Sequence, residues 1–347
     1  HQRYENIPLK LNLNEMQVAT FYVNRYQLPG VNVQVTFIRQ YPLAEYLSPV
    51  LGYVGRINPN ELANVNQANY RSTNFIGKTG IEKYYESTLH GQVGSAIAEI
   101  NASGHIIRYL DKVPAIAGKS LHLTIDSKLQ QYAFQMMRHN EGAIVAIDPR
   151  NGDVLAMVST PSYDPNPFVT GMSTADYQKL LKNPNHPLYN RSIRGAFSPG
   201  STIKPFYAIA ALSNHYITNN SKIYDPGWFQ LPHTKHIYHD WKLSGHGWVN
   251  VTKAITVSCD TFFYKLSVQM GIKAIDQVLT TFGFGKPTGI DIGEEVAGTV
   301  PSPEWKRTHQ QNPWYTGDTI ITGIGQGSLL VTPLQLAVAT TITRGSA

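Results

Sequence analysis

The chain has a single cysteine, Cys259, in 347 residues, so no intramolecular disulfide can form within it. Charged residues are scarce at 15%. No signal peptide is visible, and no run reaches the roughly eighteen apolar residues of a membrane span. The longest charge-free stretch, Thr319 to Thr343, is broken by Gly323, Gly325, Gly327 and Pro333. It reads as a buried strand or turn followed by a buried helix. A membrane anchor, if there is one, lies outside this sequence. Internal repeats and low-complexity linkers are also lacking. The net charge is +6, but Lys and Arg are scattered, which argues against nucleic acid as a partner. A mildly basic surface suits an anionic wall polymer or a membrane surface instead.

What is present is globular. Hydrophobic residues make up 42%, and the length accommodates two domains. Up to about Gly118 the chain is polar and rich in Asn and Tyr. Asn14-Glu15 opens a helix over Met16 to Tyr26. Val31 to Phe37 alternates as a half-buried strand does, and Tyr46 to Val54 reads as a helix ending near Gly55. Ala96 to Asn101 and His105 to Leu110 flank Ala102-Ser103-Gly104 as a hairpin. The character changes at Leu121. Leu121 to Ile125 reads as a strand. Asp126 then caps a helix with its apolar stripe at Leu129, Tyr132, Ala133, Met136 and Met137. Gly142 to Ile147 and Asp153 to Ser159 are strands joined by the turn Asp148 to Gly152. The pattern is α+β, with a boundary near residues 112–120, giving domains 1–116 and 117–347.

One segment carries chemistry: Pro199-Gly200-Ser201-Thr202-Ile203-Lys204-Pro205. Pro199-Gly200 makes a tight turn, and an apolar-faced helix follows it. Ser201 falls at the start of that helix, with Lys204 one turn on along the same face. A serine hydroxyl is a weak nucleophile until a base takes its proton. A buried lysine can be that base, and the helix N-terminus favours a developing oxyanion. Alone, Ser-x-x-Lys is equally a capping serine and a solvated lysine. Further on comes Ser258-Cys259-Asp260, and the two motifs in this order are those of the penicillin-recognising serine acyltransferases.

The resemblance extends over nearly the whole chain. Pro161 to Asn166, Asp225 to Trp228, Gly245-His246-Gly247, Asp260 to Tyr264, Gly285 to Gly293 and Trp314 to Gln335 resemble the penicillin-binding protein 2 family, the class B transpeptidases of cell elongation. Gly77 to Glu86 and Leu89-His90-Gly91 resemble that family's pedestal domain. The resemblance implies a penicillin-binding transpeptidase fold, an antiparallel sheet with helices on both sides, behind a partner-binding pedestal. It implies Ser201, Lys204, Ser258 and Asp260 as the catalytic set. Asp260 stands where the wider superfamily has Asn, as is usual in this subfamily. The family's third motif, Lys-Ser/Thr-Gly, is not found after Asp260, and the chain reads as cut at both ends. Lys78-Thr79-Gly80 has the letters but precedes the other motifs and sits in the pedestal-like stretch. It reads as a turn.

A second constellation surrounds the lone cysteine. Asp225, Asp240, His246 and Cys259 are a zinc ligand set, with His233, His236 and His239 close by in sequence. The spacing matches no short zinc signature, so a structural zinc and a polar loop around a small buried cysteine stay open as alternatives. No cofactor is expected to take part in the chemistry.

The resemblance implies a peptidoglycan D,D-transpeptidase that crosslinks stem peptides ending in D-Ala-D-Ala through a Ser201 acyl-enzyme. It would be a β-lactam target in elongation and rod shape, periplasmic on a single-pass inner-membrane anchor. A membrane glycosyltransferase and other elongation-complex proteins would be its partners. The rivals are a catalytically impaired scaffold of the wall-synthesis complex and a serine β-lactamase.

Overall fold

A computed structural model describes residues 9–345 apart from 11, 71–74 and 102–105. They pack as two units. One comprises His1–Leu123, Pro161–Leu188 and Asp291–Gly293; the other comprises Thr124–Thr160, Tyr189–Ile290 and Glu294–Ala347.

In the first unit, Asn14 caps the helix Glu15–Asn24 through a reciprocal capping box with Gln17, as its sequence predicts. The expected strand over Val31 to Phe37 does not form. Val35 and Phe37 are exposed, and no described strand pairs with the segment. Alternation supplies a face but not a partner. The helix expected over Tyr46 to Val54 is one turn, Ser48–Leu51, and ends at Gly52 at φ +71°. A Cβ there would meet the Thr79 carbonyl oxygen at 2.0 Å. Strand β1 (Val54–Arg56) pairs antiparallel with β2 (Phe75–Gly77). Lys78 is committed to Glu61 at 2.6 Å, and Thr79 and Gly80 start the helix Gly80–Tyr84. This Lys-Thr-Gly is therefore a packing turn. Glu82 is buried against Arg39 at 2.8 Å and the Tyr41 hydroxyl at 3.2 Å. Burial raises its carboxyl pKa despite the guanidinium. The hairpin pairs β3 (Ser95–Ile100) with β4 (Ile106–Val113); its turn at Ala102-Ser103-Gly104 lies outside the described residues. Residues 161–188 complete this unit. Asn166 Oδ1 accepts the Tyr41 N–H at 2.9 Å, and the Phe168 ring stacks on Tyr53 at 4.0 Å.

The second unit is built on β5 (Gly142–Ile147) and β6 (Val154–Thr160), antiparallel about the expected turn. Asp126 caps the helix Ser127–Met137, which packs on β6; Arg191–Arg194 and Pro333–Gly345 pack on β5. The buried face of Ser127–Met137 is Gln130, Ala133 and Phe134, while Tyr132 and Met136 stay exposed. Gln130 explains the shift: it accepts the Met157 N–H at 2.7 Å and donates to the Met157 carbonyl at 2.8 Å. A satisfied polar residue on the buried stripe hides its true period. Leu121 to Ile125 is no strand; Thr124 merely donates its hydroxyl to the Val154 carbonyl. The stretch from Thr319 first completes the helix Thr316–Thr322, then makes the expected turn over 323–328 and isolated bridges at Leu330 and Val331, and enters the expected helix Pro333–Gly345.

The core centres on the helix Lys204–Ser213, which buries Phe206, Tyr207, Ala208 and Ala211 against the helix Asp260–Thr281. Two small ribbons flank it. Strand β7 (Ile223–Asp225) pairs with β10 (Gly247–Val249), and β8 (Trp228–Gln230) with β9 (Ile237–His239). Among the described residues no helix is long and apolar enough to cross a membrane.

Candidate active site

Pro199 and Gly200 turn the chain into a short 3-10 segment, Gly200–Ile203, that leads into the helix Lys204–Ser213. Ser201 sits in that segment, where first-turn N–H groups lack intrahelical acceptors. Lys204 is the first residue of the α-helix, with Pro205 behind it needing no N–H. Ser258 lies between the helices Val251–Thr256 and Asp260–Thr281.

The two motifs converge. Ser258 Oγ is 2.8 Å from Ser201 Oγ, and Lys204 Nζ is 3.2 Å from Ser258 Oγ. Lys204 Nζ also donates to the Ser258 carbonyl at 3.0 Å and to Asp260 Oδ1 at 2.6 Å. An ammonium has three N–H donors, and these three acceptors use them all. The lysine side chain is only 2% exposed. With the ammonium, the chain of bonds runs from Lys204 through Ser258 to Ser201. With a neutral amine the same heavy atoms serve the opposite sense: the amine accepts from Ser258, and Ser258 accepts from Ser201. The geometry is that of a proton relay between a hydroxyl and a buried amine.

The glycine loop Gly323 to Gly327 braces this site. Gly325 accepts the Gly200 N–H at 2.8 Å. A Cβ on Gly325 would stand 2.2 Å from the Gly200 carbonyl oxygen. The signal was the run Gly323, Gly325 and Gly327, but nothing in it names Gly200 as its contact.

Asp225, Asp240, His246 and Cys259 meet, their nearest ligand atoms all within 4.8 Å of one another. His233, His236 and His239 do not join them. His246 Nδ1 is 2.8 Å from Asp225 Oδ2 and 3.6 Å from Asp240 Oδ1, and Cys259 Sγ is 3.4 Å from Asp225 Oδ2. Burial alone would raise the Asp225 pKa, but N–H groups of Gly227 and His246 hold it below the usual carboxylate range. Burial pushes the Cys259 thiol up. Both carboxylate side chains are fully buried, yet among the described residues no lysine or arginine pairs with either. His246 Nε2 is buried without a partner among the described residues. Two buried carboxylates balanced by one imidazole leave an excess of negative charge, and a divalent cation fits that deficit.

The chain matches known proteins over nearly its whole length. The family described as "Penicillin binding protein transpeptidase domain" matches residues 142–344, and "Penicillin-binding Protein dimerisation domain" matches residues 1–123. The chain belongs to the penicillin-binding protein transpeptidase family. It is similar to the peptidoglycan D,D-transpeptidase MrdA of Escherichia coli K12, 49% identical over 97% of this chain and 54% of the relative. The Haemophilus influenzae protein of the same name is 48% identical over 98% of this chain and 53% of the relative. The chain thus spans about half the length of these curated relatives. Among solved structures it resembles Pseudomonas aeruginosa PBP2 in complex with WCK 5153, with TM-score 0.82, 46% identity and coverage of 90% of this chain and 65% of that one. Helicobacter pylori PBP2 in complex with MreC gives TM-score 0.87 at 36% identity, covering 95% of this chain and 61% of that one.

Proposed function

We propose that this chain carries the acylating half-site of a peptidoglycan D,D-transpeptidase of cell elongation. The observation that carries the reading is the continuous relay from Ser201 through Ser258 to the buried Lys204. Neutral Lys204 draws a proton from Ser201 by way of Ser258. The Ser201 oxygen attacks the carbonyl carbon of the penultimate D-Ala in a stem peptide. The amide bond to the terminal D-Ala breaks, and the departing amine takes the proton back through Ser258. An amine of a second stem peptide then displaces Ser201, and the ester becomes a crosslinking amide. A β-lactam follows the same first step, but its leaving amine remains tethered. Asp260 holds Lys204 in place and balances its charge.

Intact-protein mass after incubation with benzylpenicillin tests this. One penicillin per chain is expected for the wild type and none for Ser201→Ala. An adduct that persists in Ser201→Ala overturns Ser201 as nucleophile. No adduct on the wild type favours an inert scaffold.

We read Asp225, Asp240, His246 and Cys259 as a structural zinc site. Zinc bound there would supply positive charge to the two carboxylates and a thiolate, with no part in acyl transfer. Protein purified without a histidine tag is expected to contain one zinc per chain. Cys259→Ser is expected to lose it and to unfold roughly 10 °C lower, the shift that about 3 kcal/mol gives a domain of this size. Wild-type protein free of zinc and equally stable would sink the reading.

The membrane-anchored, periplasmic setting and the partner proteins are carried by the family resemblance. The solved relatives with MreC, and the one described under coordination of polymerization and crosslinking by a peptidoglycan synthase complex, support protein partners of this kind. Exposed Ile97, Ile107, Tyr109 and Leu110 on the β3–β4 hairpin offer apolar surface for one.

A further inference from the structure

Ser258 stands at φ +53°, in the left-handed region. A serine there is crowded between Cβ and its own backbone, and the conformation persists only where the surroundings impose it. The helix Val251–Thr256 ends in a Schellman-type turn with Ser258 at its left-handed position: the Ser258 N–H donates to the Ile255 carbonyl at 3.2 Å and the Cys259 N–H to the Ala254 carbonyl at 2.9 Å, and two side chains hold this turn from outside. On the leading side, Trp241 Nε1 donates to the Val257 carbonyl at 3.0 Å. On the trailing side, Asp240 Oδ2 accepts the Thr261 N–H at 2.9 Å. Two successive residues therefore grip the backbone on either side of Ser258. Trp241 is 64% exposed. So exposed an indole gains little from burial and has water for its N–H, so its bond to Val257 contributes mainly by fixing that carbonyl. Its ring leans on His246, with centroids 5.4 Å apart and planes at 55°, which sets its direction.

We propose that Trp241 is a positioning residue for Ser258. By holding the Val257 carbonyl it anchors the turn whose backbone bonds give Ser258 its left-handed conformation, and so keeps the Ser258 Oγ 2.8 Å from Ser201 and 3.2 Å from Lys204. The inference rests on Ser258 being the proton relay, and the test separates the two.

The second-order rate of acylation by benzylpenicillin is measured for the wild type, Trp241→Phe, Ser258→Ala and the double variant. Phenylalanine keeps a ring against His246 and removes the N–H. Trp241→Phe is expected to acylate about tenfold more slowly, with the loss in the covalent step and not in penicillin binding. In the Ser258→Ala background the same change is expected to cost nothing further, since the group it positions is gone. Ser258→Ala acylating at the wild-type rate overturns the relay and this inference with it. A slow Ser258→Ala beside a wild-type-like Trp241→Phe overturns the inference alone. So do losses that multiply in the double variant, because they assign Trp241 to a contact independent of Ser258.

Discussion

Lys204→Met is expected to lower the rate of penicillin acylation by about a thousandfold and to lower the thermal midpoint as well. The first effect follows from removing the base at the end of the relay, a role that typically contributes 10²–10⁴. The second has a different origin. Lys204 gives its three donors to Asp260, the Ser258 carbonyl and the Ser258 hydroxyl, and methionine gives none. Asp260, with a side chain only 16% exposed, is left as an uncompensated carboxylate. Breaking a buried pair on one side costs about 3–5 kcal/mol, and partial exposure puts this case toward the lower figure. The two effects can be pulled apart. In Lys204→Met/Asp260→Asn the stranded charge is gone, so the midpoint should largely recover while acylation stays lost. A double variant that regains acylation, or a single variant within tenfold of wild type, would remove Lys204 from the base role.

Gly325→Ala should be nearly as damaging, though the residue has no reactive group. Its φ of +73° strains any L side chain, and its Cβ would lie 2.2 Å from the Gly200 oxygen and 2.8 Å from the Gly200 nitrogen. Those are backbone atoms and cannot swing aside. The Gly200–Gly325 hydrogen bond must lengthen, and the turn that aims Ser201 must move with it. A displacement of about 1 Å at a reacting group can cost 10²-fold, which is the loss expected in acylation. Gly327→Ala is the control. It has a similar φ of +72°, but its Cβ would meet only the Ile321 side chain, at 3.2 Å. Both variants should lose stability, and only Gly325→Ala should lose acylation. Equal acylation by the two would show that this contact does not aim Ser201.

The residues that bind to each other locally were legible in the sequence. Asn14 and Asp126 start helices because a capping side chain needs only its own next few N–H groups. The turn from Asp148 to Asp153 is likewise self-contained. Ser201 and Lys204 were legible as neighbours one turn apart for the same reason, but their contact runs through Ser258 from a separate element. Segments whose conformation depends on a distant partner were not. Val31 to Phe37 has the alternation of a strand and, among the described residues, no neighbouring strand. Gln130 looks like a surface residue until Met157 supplies both its bonds. The grip of Trp241 on Val257, and of Gly325 on Gly200, joins positions that no local pattern links. Asp225, Asp240, His246 and Cys259 lie between these cases: their types made them candidates, but only the β7–β10 ribbon, pairing Asp225 with Gly247, brings His246 beside Asp225.

The first unit is assembled from separated stretches of chain, and this has a consequence for the order of events on the ribosome. Tyr41 and Tyr53 find Asn166 and Phe168 only after another forty or so residues have followed Leu123. Tyr85 waits longer still, since its hydroxyl partner is Asp291, at 2.6 Å. At roughly 5–20 residues per second these delays run from seconds to tens of seconds. During them the amino-terminal portion is an open form lacking its last staples. A chaperone or an assembly partner arriving in that interval would meet a surface that the finished molecule no longer offers.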